Sequence, residues 1–181
     1  MRRDRIARVR EELQRRGLDG MLVSSLSHIQ YLTGFTGTNA LLLLTPSTAV
    51  LLTDGRYAQQ VKQEAQGCRR VIVTRNGLFE EAARRRLLNS GSRIGFEAQQ
   101  ITYAQYRTLR KLFPDVSFAS TREIVEEVML VKDAEEVESI REAARISDRV
   151  FDAVLEIIRP GVTELDIAAE ISYLHRSLGA E

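Results

Sequence analysis

The strongest constraint on the fold is an alternation: through Phe118, short apolar runs take turns with segments of helical spacing. Gly20-Met21-Leu22-Val23-Ser24, Ala40–Leu44, Ala49–Leu52, Val71–Val73, Arg93–Phe96 and Val116–Phe118 read as strands. Runs this uniformly apolar suit strands with little solvent-facing surface. Between them lie the helical segments. Residues 3–16 carry Ile6, Val9 and Leu13 at helical spacing, with Gly17 as a stop. Leu26 to Leu32 forms a short turn closed by Gly34, Asp54 caps a helix to about Ala65, residues 78–89 form a helix, and Thr102 opens one to Phe113. Thr45-Pro46-Ser47 joins two apolar runs as an antiparallel hairpin. One hairpin inserted into a helix–strand alternation implies an α/β domain over residues 1–130, a mixed sheet flanked by helices.

The pattern changes near Val131. Asp133 and Glu136 have capping-box spacing. Val137, Ile140, Ala144, Phe151, Val154 and Ile158 then follow steps of three and four, or their sums. The spacing predicts a single helix, roughly 39 Å long at about 1.5 Å per residue, ended by Pro160-Gly161. Thr163 and Asp166 open another, with Leu165, Ala168, Ile171 and Leu178 on one stripe. Residues 131–181 thus read as a helical hairpin whose apolar stripes need a sheet, further helices or a neighbouring molecule to cover them. The expectation is a second domain that has only begun, and a chain that self-associates.

Composition narrows the function classes. Apolar residues make up 44% of the 181, enough for a core. The 26 Lys+Arg nearly balance 25 Asp+Glu, which argues against a nucleic-acid partner. The arginines of the first helix (Arg2, Arg3, Arg5, Arg8, Arg10, Arg15, Arg16) and Arg84, Arg85 and Arg86 are interleaved with Glu11, Glu12, Glu80 and Glu81, as on a solvated helix face. Cys68 is the only cysteine, so it has neither a disulfide partner within the chain nor a second thiol for zinc. No apolar run reaches membrane-spanning length and the start is not a signal segment. A cytoplasmic protein with no membrane partner is expected.

Few residues carry chemistry. Tyr31-Leu32-Thr33-Gly34-Phe35-Thr36-Gly37-Thr38-Asn39 is rich in glycine and hydroxyls, but it lacks phosphate-loop spacing and leads into a strand; it reads as a connector. Asp54-Gly55-Arg56-Tyr57 lies where a strand gives way to a helix, a position that often faces a ligand in open α/β sheets. Arg56 beside Tyr57 suits a carboxylate; equally, Arg56 can pair with an acid on its own surface. His28 is either bonded to backbone or faces a ligand. His175 sits late in a helix, where the dipole favours a cation. Glu135, Glu136 and Glu138 fall on an exposed helix surface, and no two-metal cluster assembles from these residues.

Together, Tyr31 to Asn39, Thr53-Asp54-Gly55-Arg56-Tyr57, Val131-Lys132-Asp133-Ala134-Glu135-Glu136-Val137 with Ile140, Ala143 and Ala144, and Arg159-Pro160-Gly161-Val162-Thr163-Glu164 resemble the aminopeptidase P/prolidase/creatinase family. The resemblance spans nearly the whole chain. One departure is Met129-Leu130, where members often carry an arginine. The resemblance implies a ribonuclease-H-like, creatinase-type first domain and the helical start of a pita-bread domain. It also implies hydrolysis of the bond before proline by a complete protein holding two divalent ions (Mn, Co or Zn), whose ligand positions fall beyond Glu181. The creatinase branch instead hydrolyses creatine without metal. The resemblance further implies a homodimer in which the first domain lends groups to its neighbour's site. Arg56, Tyr57 and His28 are then the expected substrate-binding residues, acting in trans on a proline-containing peptide. This chain alone is expected to hold no cofactor and to be inactive. The competing expectation is a non-catalytic module of the same fold that binds a protein or a small carboxylate.

Overall fold

A computed structural model describes residues 2–180, with side chains from residue 4. Met1, Glu181 and the side chains of Arg2 and Arg3, counted in the basic run above, lie outside the described residues. The chain divides into residues 1–131 and 132–181.

In the first unit the order is α1 (Arg2–Arg15), β1 (Gly20–Val23), α2 (Leu26–Thr33), β2 (Ala40–Leu44) and β3 (Ala49–Asp54), then a 3-10 turn (Gly55–Tyr57) and α3 (Gln60–Glu64). There follow β4 (Arg69–Val73), α4 (Leu78–Arg84), β5 (Arg93–Glu97), α5 (Tyr103–Leu112), β6 (Ser117–Thr121) and α6 (Ile124–Leu130). The strands form one mixed sheet in the order β4-β3-β2-β1-β5-β6. β2 runs antiparallel to β1 and β3; the β3–β4, β1–β5 and β5–β6 pairs are parallel.

The apolar runs split by parity. Met21, Val23, Leu42, Leu44 and Leu51 join one core with Ile6, Val9 and Leu13 of α1, Ile29 and Leu32 of α2, and Val125 and Val128 of α6. Leu22, Leu41, Leu43, Val50 and Leu52 join the opposite core with Ala82 of α4 and Leu109 of α5. Strands buried on both faces need helices on both faces, which is why these segments carry hardly a polar residue. Gly20 is required by space: a Cβ there would lie 2.4 Å from the Leu44 carbonyl oxygen.

Several boundaries differ from expectation. The helix expected from Asp54 to Ala65 is broken, because Asp54 caps only the 3-10 turn before α3 begins at Gln60. The helix expected over 78–89 ends at Arg84, with Arg86 in left-handed backbone at φ 51°. β6 is Ser117–Thr121, shifted past the expected 116–118. α6 was not anticipated; its short run Ile124-Val125 and Val128 gives too little periodicity to separate helix from strand.

The second unit is two helices, α7 (Ala134–Ile157) and α8 (Glu164–Ser177), packed against each other. Both expected capping boxes form: Asp133 with Glu136, and Thr163 with Asp166. Val150 and Val154 are buried, whereas Val137, Ile140, Phe151, Leu155, Ile158, Leu165 and Tyr173 are exposed.

Candidate functional site

The pairing registers set the carboxyl ends of β1, β3, β4, β5 and β6 on one end of the sheet, together with the start of β2. In open α/β sheets this is the end where ligands bind. Arg56, Tyr57 and His28 all follow such ends, but they fall into two separate clusters.

The first cluster is built on Asp54, the last residue of β3. Its carboxylate accepts the Arg56 amide at 3.0 Å, Arg56 Nε at 3.0 Å and Arg56 Nη2 at 2.9 Å, and Asn39 Nδ2 at 2.7 Å. The two guanidinium bonds make a fork-to-fork pair. They hold the Asp54 carboxyl well below the usual carboxylate range, helped by Asn39. Arg56 is thus paired on its own surface, yet its side chain remains 71% exposed and its Nη1 has no acceptor among the described residues. The guanidinium carbon lies 5.3 Å from the Tyr57 ring centroid, within cation–π reach. The Tyr57 hydroxyl is 2.6 Å from Thr38 Oγ1, a bond that lowers the phenol pKa. The Tyr57 ring meets Phe35 edge-on at 5.7 Å. Behind this cluster, Thr38 and Asn39 line a cavity of about 540 Å³ shared with Ser24, Phe79, Gln100 and Gln105.

The second cluster centres on Glu97, the last residue of β5, beside the end of β1. One carboxylate oxygen accepts the Ser24 and Ser25 amides at 2.6 and 2.7 Å, and the Ser24 hydroxyl at 3.1 Å. The other lies 2.5 Å from His28 Nδ1. His28 Nε2 is 3.7 Å from Glu126 on α6. The Glu97 bond raises the His28 pKa against the opposing effect of burial, and Glu126 adds to the rise. For Glu97, burial pushes the pKa up, but the bonds from His28 and the serine amides outweigh it and leave the group lowered. The geometry makes this pair a buried clasp between β1, β5 and α2. None of the polar contacts of His28 reaches Arg56 or Tyr57.

Sequence reasoning passed over Thr38, Asn39 and Glu97. The first two sit in the hydroxyl-rich connector already singled out. Glu97 carried a readable signal, an acid closing an apolar strand at the carboxyl edge. His175 Nδ1 is bonded to the Ile171 carbonyl. Among the described residues no group of three or more His, Cys, Asp or Glu could hold a metal ion.

A mixed sheet covered by helices on both faces, with polar clusters at its carboxyl ends, defines an α/β domain suited to presenting side chains from its rim. Residues 5–131 match the creatinase/prolidase N-terminal domain, and the chain belongs to that family. Residues 138–181 match metallopeptidase family M24. Among relatives, the uncharacterized peptidase YqhT of Bacillus subtilis is 33% identical over 91% of this chain and 46% of its own length. The solved Xaa-Pro dipeptidase from Bacillus anthracis superposes with a TM-score of 0.86 at 32% identity, covering 99% of this chain and 50% of that one. The X-Pro aminopeptidase from Thermotoga maritima gives 0.83 at 30% identity, over 94% and 50%. The chain therefore spans about half the length of these proteins.

Proposed function

We propose that this chain is the amino-terminal, dimerising and substrate-access part of a metal-dependent peptidase that hydrolyses Xaa-Pro bonds. The observation that carries the reading is the succession of two family matches along one chain, the creatinase/prolidase N-terminal domain and then the beginning of a metallopeptidase domain. The metal-binding chemistry belongs to the complete protein, and the 181 residues alone are inactive.

Within this reading the first domain positions substrate. The Asp54 fork fixes the Arg56 guanidinium side-on, leaving its Nη edge toward solvent. A planar cation held this way meets an incoming carboxylate with little loss of side-chain freedom. Tyr57 supplies a flat wall beside it. His28, clasped by Glu97, supports the base of the rim.

The test is hydrolysis of a panel of Xaa-Pro and Xaa-Ala peptides by the complete protein and by residues 1–181, each with and without Mn²⁺, Co²⁺ or Zn²⁺, alongside elemental analysis. Proline-dependent turnover by the complete protein and none by residues 1–181 is expected. Turnover by residues 1–181 with about one tightly held metal per chain, or no proline dependence in the complete protein, overturns the reading.

A further inference from the structure

The carboxylate that holds Arg56 is itself held from a different strand. Arg56 reaches Asp54 through its amide, Nε and Nη2. Asn39 supplies the remaining bond, its Nδ2 donating to Asp54 Oδ2 at 2.7 Å. Among the described residues this is the one hydrogen bond to the carboxylate from outside the turn that carries Arg56. Without it, Asp54 and Arg56 would be tied only to each other, two residues apart, and could swing together.

The sheet sets this contact. Ala40 pairs with Thr53 in the β2–β3 register, so Asn39, just before β2, comes beside Asp54. The Thr53 hydroxyl donates to the Asn39 carbonyl at 2.7 Å and fixes the Asn39 backbone. Thr53 is buried, so the anchor is rooted in the sheet. The kind of donor matters as well. Oδ2 accepts from both Asn39 Nδ2 and Arg56 Nη2. A neutral amide steadies the carboxylate and leaves its charge for the guanidinium, whereas a cation at position 39 would compete with Arg56. The Asn39 bond ranks next to the Arg56 bond in lowering the Asp54 pKa. Thr38, the preceding residue, bonds the Tyr57 hydroxyl at 2.6 Å, so the end of the connector braces both members of the Arg56–Tyr57 pair.

We propose, on the reading of Arg56 as the group that meets a substrate carboxylate, that Asn39 is a positioning residue: it ties Asp54 to β2 and so presets the plane of the Arg56 guanidinium. A guanidinium oriented in advance loses less side-chain freedom when a carboxylate arrives. Asn39 acts through Asp54 and Arg56, so it tunes affinity for peptides whose carboxylate reaches Arg56 and leaves bond cleavage alone.

The test uses the complete protein with Asn39→Ala, Asn39→Leu (which keeps the volume and removes the donor), Arg56→Ala and the Asn39→Ala/Arg56→Ala double variant. Two quantities are measured: KM and kcat for an Xaa-Pro dipeptide, and the inhibition constant of the same dipeptide amidated at its carboxyl end. Expected for both Asn39 variants is a KM raised about two- to tenfold, the range one hydrogen bond supports, with kcat changed less than about twofold. The amidated dipeptide should bind all variants alike. The double variant should match Arg56→Ala, because the two residues act in series. The Arg56 Nε NMR signal should also shift in the Asn39 variants. A raised KM in Arg56→Ala with none in the Asn39 variants overturns the proposal and leaves the carboxylate reading standing. Equal losses for the acid and the amide, or additive effects in the double variant, also overturn it. Should Arg56→Ala change nothing, the carboxylate reading fails, and the Arg56 Nε signal decides the positioning by itself: unmoved in Asn39→Leu, it overturns the proposal.

Discussion

At the residue scale, the two polar clusters make separable predictions. In the complete enzyme, Arg56→Ala should raise KM several-fold while changing kcat by less than about twofold, because a group that orients substrate without touching the scissile bond acts on binding. Arg56→Lys should recover only part of the loss, since an ammonium cannot keep the fork with Asp54. Steady-state kinetics on dipeptides and tripeptides decide it, and unchanged values remove Arg56 from the site. The His28–Glu97 clasp should instead appear in stability. The His28 pKa is raised from 6.5, so its stabilisation is complete below that pH and is lost as pH climbs through the raised value. The Glu97 pKa is lowered from 4.5, so its contribution is complete above that pH and is lost as pH falls through the lowered value. Both act fully between those two reference values. Melting temperatures measured from pH 5 to 9 should fall on the alkaline side for the native chain and fall less steeply for His28→Gln. Parallel profiles would show that the clasp does not titrate with folding.

At the scale of elements, capping was written plainly in the sequence. Asp133 and Glu136, Thr163 and Asp166, and Thr102 with Gln105 all close as reciprocal boxes, because each depends on residues three apart. Thr102→Ala should cost about 1 kcal/mol by chemical denaturation. Ser25 before α2 makes no side-chain cap bond, and its amide is instead met by Glu97 from a distant strand. No local rule finds that arrangement. The same limit hid α6, which is held by non-local partners: Arg16, just past the end of α1, reaches Glu127 at 2.8 Å and the Arg122 carbonyl at 3.1 Å. Gly20 belongs to this scale too. Gly20→Ala should destabilise by about 1–3 kcal/mol, since β1 and β2 must separate to admit a methyl group; a small change in the urea midpoint would show that the sheet accommodates it.

At the scale of the whole molecule, the exposed apolar residues of α7 and α8 bear on association. Residues 1–181 should sediment as a dimer or larger species at micromolar concentration, and Phe151→Ser with Leu155→Ser should shift it toward monomer. A monomer at every concentration would show that these helices tolerate water.

What the sequence determined alone was whatever depends on short separations. Apolar runs marked buried strands, three-residue spacings marked caps, and Pro160-Gly161 marked the end of a long helix. It also placed Asp54, Arg56 and Tyr57 on one strand-to-helix turn. Only the tertiary structure decided that the Arg56 fork is held by Asp54 with Asn39 behind it, and that His28 belongs to Glu97, 69 residues away. The physical reason is that a charge chooses its partner by distance in space, and the sheet order β4-β3-β2-β1-β5-β6 sets those distances.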